Sequence, residues 1–136
     1  MEKNIYEGLI TALITPFKNE KIDKTALAKL IEFQISAGVK GIVIGGSTGE
    51  GTSLQDEDYY NLIKLSTQVA DKKINIIAGL SSVSTEYAVN KAKILNQSGI
   101  NGIMCTVPHY IRPEQEGIVN HFQLLHNNTD LPLILY

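Results

Sequence analysis

Gly38-Val39-Lys40-Gly41-Ile42-Val43-Ile44-Gly45 is a glycine stop followed by an apolar run, and Gly99-Ile100-Asn101-Gly102-Ile103 repeats its opening 61 residues later. A glycine after a helical pattern ends the helix, because it takes the left-handed conformation at no steric cost. The short β-branched run beyond it, apolar on both faces, reads as a strand of a helix-covered parallel sheet. The same signal recurs at residues 9–15, 41–45, 74–79, 102–107 and 131–136, with starts 32, 33, 28 and 29 residues apart. Helical periodicity fills the intervals. Asp23 is a candidate N-cap for a helix carrying Leu27, Leu30, Ile31 and Ile35, stopped by Gly38. A second helix starts near Ser53, has Asp56-Glu57-Asp58 in its first turn, and carries Tyr59, Leu62, Ile63 and Val69. A third holds Ala88, Val89, Ala92 and Leu95 before Gly99; a fourth begins at Pro113 and runs through Ile118, Val119, Phe122 and Leu125.

A steady β-α repeat suits a (β/α)8 TIM barrel, which takes about 250 residues. Five strands and four helices are just over half of one. The sequence closes in Leu131-Pro132-Leu133-Ile134-Leu135-Tyr136, a strand signal with no helix after it. The expectation is an α/β fold in which residues 1–136 form the N-terminal part of a single barrel domain. An open five-stranded sheet is the alternative.

Composition narrows the function classes. The 136 residues are 43% hydrophobic and 19% charged, a globular rather than a disordered balance. Twelve basic against fourteen acidic side chains give a formal charge of −2, and Arg112 is the one arginine. No one-sided basic field exists for nucleic acid or an anionic membrane. Cys105 is the single cysteine, so no internal disulfide forms, and a reducing compartment is expected. The start MEKNIYEG lacks an apolar signal region, and no apolar run approaches eighteen residues. These readings predict a soluble cytoplasmic protein with no nucleic-acid or membrane partner.

Parallel α/β folds carry their reactive groups at the C-terminal ends of strands. Those ends read Thr15-Pro16-Phe17, Gly45-Gly46-Ser47-Thr48-Gly49-Glu50, Gly79-Leu80-Ser81-Ser82, Pro108-His109-Tyr110-Ile111-Arg112-Pro113 and Tyr136. The glycines of the second allow a tight turn and a close approach to a ligand, with the N–H groups beside Ser47 and Thr48 placed for a small anion. No Walker lysine follows, and the glycine spacing is not a dinucleotide fingerprint, so a small carboxylate fits better than a nucleotide. The plain alternative is a strand-to-helix turn with Ser53 capping the helix. Tyr110 reads as a catalyst or as a packing or interface residue, and Tyr136 as a catalyst or a core tyrosine. Ser47, Tyr110 and Tyr136 would make a workable hydroxyl relay if they met. His121 and His126 are five apart on one helix and point in different directions, and His109 has no acidic or thiol companions, so no metal is expected. Cys105 lies inside a strand as inert packing, and Asp56-Glu57-Asp58 serves a helix N-terminus and little more.

These strand ends, in this order, resemble the N-terminal half of the dihydrodipicolinate synthase family of pyruvate-dependent Schiff-base aldolases. The likeness rests on residues 8–17, on Gly46-Ser47-Thr48-Gly49-Glu50, on Pro108-His109-Tyr110-Ile111-Arg112-Pro113 with Gln115-Glu116-Gly117, and on residues 131–136. The resemblance implies a TIM barrel that condenses pyruvate with L-aspartate 4-semialdehyde to 4-hydroxy-tetrahydrodipicolinate, on the route to diaminopimelate and lysine. It implies no cofactor: the covalent imine with pyruvate forms on a sixth-strand lysine outside this sequence. By the same resemblance Thr48 holds the pyruvate carboxylate, and Tyr136, Ser47 and Tyr110 are catalytic proton-relay residues. Tyr110 would reach into a neighbouring subunit of a homodimer or homotetramer.

The sequence departs from the family pattern in several places. Ser47 stands where many members have threonine, and His109 replaces a common tyrosine. Tyr87 stands where lysine-inhibited members carry an acidic residue, which implies weak or absent lysine inhibition. Of the lysines, Lys18 alone falls on the catalytic rim, at a place where the family has no nucleophile. Lys29, Lys64, Lys91 and Lys93 read as helical, Lys40, Lys72 and Lys73 precede strands, and Lys3, Lys21 and Lys24 lie in the N-terminal segment or a loop. The 136-residue chain alone is therefore expected to be inactive. The alternatives are another pyruvate aldolase, such as N-acetylneuraminate lyase or a 2-keto-3-deoxy-sugar aldolase, a non-catalytic half-barrel, and an open flavodoxin-like binding domain.

Overall fold

Residue parity along each strand decides which side chains meet the helices and which face the opposite side. The computed structural model describes residues 6–136. Lys3, named above, lies outside the described residues. The chain runs β1 (Ile10–Ala12), β2 (Phe17–Lys18), β3 (Lys21–Ile22), α1 (Lys24–Ser36), β4 (Gly41–Ile44), α2 (Asp56–Ala70), β5 (Asn75–Leu80), α3 (Thr85–Leu95), β6 (Gly102–Cys105), α4 (Gln115–His126) and β7 (Leu133–Leu135). Five strands form one parallel sheet in the order β1-β4-β5-β6-β7. This is the first part of a TIM barrel, as expected, with β1 and β7 as its edges.

Ile42, Ile44, Ile76, Ala78, Leu80, Ile103 and Cys105 take the helix side of the sheet. They share one buried cluster with Leu27, Ile31, Leu62, Ile63, Ala88, Ala92, Leu95 and Leu125. Alternate residues of the same strands, such as Val43 and Met104, line the other face. Two-sided apolarity of the strands thus has two causes: a helix-packed core outside and a barrel interior inside. Cys105 is fully buried among the first set, and burial pushes its thiol up to about 11, which suits the inert role expected of it.

The first helix, α1, begins where expected. The Asp23 carboxylate accepts from the N–H groups of Thr25 and Ala26 at 3.1 and 3.0 Å, and Gly38 (φ +77°) takes the left-handed turn after the helix. Two other starts differ from the sequence reading. Ser53 does not cap α2; it ends a one-turn 3₁₀ segment, Gly51–Ser53, that begins behind the left-handed Glu50, and α2 starts three residues later, after an extended Gln55. Pro113 is not the first residue of α4, because Glu114 is still extended and helical bonding opens with Ile118 N–H to Glu114 O.

A hairpin is also new. Asn19 and Glu20 both have positive φ (52° and 62°), the requirement of a two-residue type I′ turn, and so pair β2 with β3. The usual Asn-Gly signature is missing, which hid it. Lys18 sits in this hairpin, and Lys24 opens α1 rather than lying in a loop.

Candidate active site

The loop after β4 is built by glycines packed against glycines. Gly45 (φ +66°) lies under the Tyr59 ring, where a Cβ would meet Cε2 at 2.8 Å. Tyr59 is buried, and its hydroxyl donates to Gly79 O at 2.8 Å. Gly79 in turn touches the loop: a Cβ there would fall 2.4 Å from Gly46 Cα. Gly51 N–H closes the turn onto Gly46 O at 3.1 Å, and the Thr15 hydroxyl donates to Gly49 O at 2.6 Å. The close approach that the glycines permit is to the Tyr59 ring and to the protein's own backbone. Its result is that Gly45, Gly46 and Gly49 are buried while Ser47 and Thr48 are exposed at the top.

Ser47 and Thr48 open onto a cavity of about 380 Å³ on the face of the sheet away from the helices. Ile10 and Ala12 of β1, Val43 and Gly46, Met104 of β6, and Ile134 and Tyr136 at β7 complete it. Parity explains Tyr136: its N–H continues the ladder to Cys105 O at 2.9 Å, and even-numbered residues of this strand point inward. The structure thus brings Ser47, Thr48 and Tyr136 to one cavity at the C-terminal rim. In this chain Tyr136 is 75% exposed, on the open face of the sheet.

Tyr110 is not among them. It is 100% exposed, lies outside the lining of that cavity, and holds φ +70°, a left-handed conformation uncommon for a bulky residue. Ile111 beside it is 55% exposed. Among the described residues, the lining contains three hydroxyls and no charged side chain. Such a surface can donate hydrogen bonds to a small carboxylate and pass protons between hydroxyls.

A second cluster was missed. Asp56 does more than favour a helix N-terminus: the Tyr87 hydroxyl donates to it, and the buried Lys91 ammonium lies 3.3 Å from the same oxygen. That ammonium also stands 3.8 Å from the centroid of the Tyr59 ring, a cation–π contact. Tyr87's hydrogen bond holds the Asp56 carboxyl below its ordinary value, and the same bond pushes the Tyr87 phenol up to about 12. Burial pulls the Lys91 ammonium down, against the attraction of Asp56. Tyr87 and Lys91 are four apart on α3, a spacing that puts both on one helix face. That was the available signal, but nothing in the sequence brought Asp56 of α2 opposite them. Tyr87, Lys91 and His109 line one groove of about 340 Å³ beside the Ser81–Ser84 connection.

Comparison with known proteins agrees with the fold. Residues 5–136 match the model of the dihydrodipicolinate synthetase family. The 4-hydroxy-tetrahydrodipicolinate synthase of Rickettsia bellii is 44% identical over 133 residues, which is 98% of this chain and 45% of that protein. Dihydrodipicolinate synthase from Cyanidioschyzon merolae with lysine bound superposes with a TM-score of 0.93 at 34% identity, over 98% of this chain and 46% of that one. The chloride-inhibited synthase from Acinetobacter baumannii complexed with pyruvate gives 0.91 at 38% identity, over 95% and 45%. The chain thus spans about half the length of the relatives it matches. Backbone and sequence agree along nearly all of it, and the chain belongs to the dihydrodipicolinate synthetase family.

Proposed function

We propose that the whole protein is a Schiff-base lyase that condenses pyruvate with L-aspartate 4-semialdehyde to 4-hydroxy-tetrahydrodipicolinate, in cytoplasmic diaminopimelate and lysine biosynthesis. In this reading residues 1–136 are the N-terminal part of its barrel. The observation that carries it is the meeting of Ser47, Thr48 and Tyr136 in one cavity at the C-terminal strand rim. Thr48 binds the pyruvate carboxylate through its hydroxyl and the adjacent backbone N–H. A lysine beyond residue 136 forms the imine, losing water, and no cofactor takes part. Tyr136 carries protons to and from the reacting centre, and Ser47 connects it to Tyr110. By the family resemblance Tyr110 serves the site of a second copy, and its full exposure apart from this chain's own cavity supports that reading. Dimerisation then completes the relay, within a homodimer or homotetramer.

Borohydride reduction in the presence of pyruvate, read by intact mass, tests the reading. The whole protein should gain one reduced pyruvate on a single lysine, and the 136-residue chain none. An adduct on Lys18 would overturn the assignment of the nucleophile. Cleavage of a keto-deoxy or sialic acid by the whole protein, without condensation of the semialdehyde, would overturn the substrate. Free lysine is expected to inhibit weakly or not at all, since Tyr87 occupies the acidic position and Asp56 is already engaged by Tyr87 and Lys91. Steady-state rates with added lysine check this, and inhibition below millimolar concentration would contradict it.

A further inference from the structure

The imidazole of His121, on α4, is almost completely buried (2% exposed), and both of its nitrogens are engaged. Nε2 lies 3.2 Å from the backbone oxygen of Thr106, and Nδ1 lies 2.9 Å from the Thr85 hydroxyl. A carbonyl only accepts, so Nε2 carries the proton. Burial lowers the ring's pKa below its ordinary value, which keeps the ring neutral and leaves Nδ1 to accept from Thr85.

The Thr106 carbonyl is a singular place on the sheet. In a parallel ladder the N–H and C=O of one residue turn to the same neighbouring strand. Thr106 N–H bonds Leu80 O at 3.2 Å, the last residue of β5. Its carbonyl therefore points where β5 has ended, and His121 replaces the missing strand partner. Immediately beyond, the chain leaves the sheet for the loop that carries Tyr110, and His109 N–H ties that loop to Ser82 O at 3.3 Å. Thr85, the other partner of the ring, opens α3 just past the same β5–α3 connection. One buried side chain thus joins the root of the Tyr110 loop to the next strand-helix connection.

We propose that His121 is a positioning residue, which holds the root of the Tyr110 loop on the β5–α3 connection by donating to Thr106 O and accepting from Thr85. The anchoring stands on the geometry alone; its catalytic consequence rests on the role of Tyr110 given above.

Hydrogen exchange of the whole protein reads the anchor directly at the amides of Thr106 and His109, which donate to Leu80 O and Ser82 O. His121→Leu leaves a half-buried carbonyl and hydroxyl without their partner. It should speed exchange of these amides about tenfold while α1 and α2 keep their protection. His121→Gln, whose side-chain amide can donate to the same carbonyl, should recover most of the protection. Thr85→Val, which removes one hydroxyl at constant shape, should also speed exchange, and it decides the matter if the leucine variant does not fold. Unchanged exchange in Thr85→Val, or equal exchange in the glutamine and leucine variants, would overturn the proposal. In the same variants kcat should fall with KM for pyruvate unchanged, since Thr48 is untouched. Faster exchange with unaltered kcat would uphold the anchor and remove Tyr110 from the relay.

Discussion

Tyr136→Phe in the whole protein is expected to lower kcat for the condensation by about 10²–10³, the range seen when a positioned proton-transfer group is lost. The ring and its place on β7 remain; only the hydroxyl goes. The change removes one hydroxyl and keeps the ring, so the thermal midpoint should shift little. Pyruvate binding should also persist, because Ser47 and Thr48 still line the cavity. Steady-state kinetics with a melting curve on the same preparation separate these effects. A kcat within about threefold of the parent, far short of the loss of a proton-transfer group, would remove Tyr136 from the relay and leave it a wall of the cavity.

Gly79→Ala is expected to produce a large loss of stability, about 3 kcal/mol or more. Its Cβ would stand 2.4 Å from Gly46 Cα, 2.5 Å from Gly46 N and 2.8 Å from Gly45 C. All three are backbone atoms, so no rotamer change relieves the overlap. Either β5 moves, losing its pairing with β4 and β6, or the Ser47–Thr48 loop is lifted from its seat. Urea unfolding of parent and variant gives the magnitude. By contrast, at Gly38 and Gly99 a Cβ would find nothing within 4 Å, and the cost of alanine there comes from the positive φ alone. A Gly79→Ala protein as stable as the parent would show that the loop is not clamped through its glycines.

Much of this architecture was legible because it is written with local rules. The Gly38 and Gly99 stops, the Asp23 cap and the spacing of the apolar runs each depend on a few neighbouring residues, and they sufficed for five parallel strands and the helices between them. Local rules failed where a turn adopts an uncommon backbone. Asn19-Glu20 closes a hairpin without glycine, and Glu50 turns left-handed ahead of a 3₁₀ segment that displaces the start of α2. The candidate site was legible as a set of strand ends, because a parallel sheet puts all of them on one rim.

Periodicity and glycine placement act within a single segment, so the kind of fold and the residues that stand on that rim follow from the sequence unaided. Which of those residues meet is a matter of tertiary structure. Strand register and parity turn Ser47, Thr48 and Tyr136 into one cavity and leave Tyr110 outside it. Helix packing sets Asp56 against Tyr87 and Lys91, and buries His121 between Thr85 and Thr106. The two His121 contacts span 15 and 36 positions of the chain, and the cavity draws Ser47 of the second strand-end loop to Tyr136 at the last. No periodicity encodes such pairings; they arise when the sheet closes its ladder and the helices find their places on it.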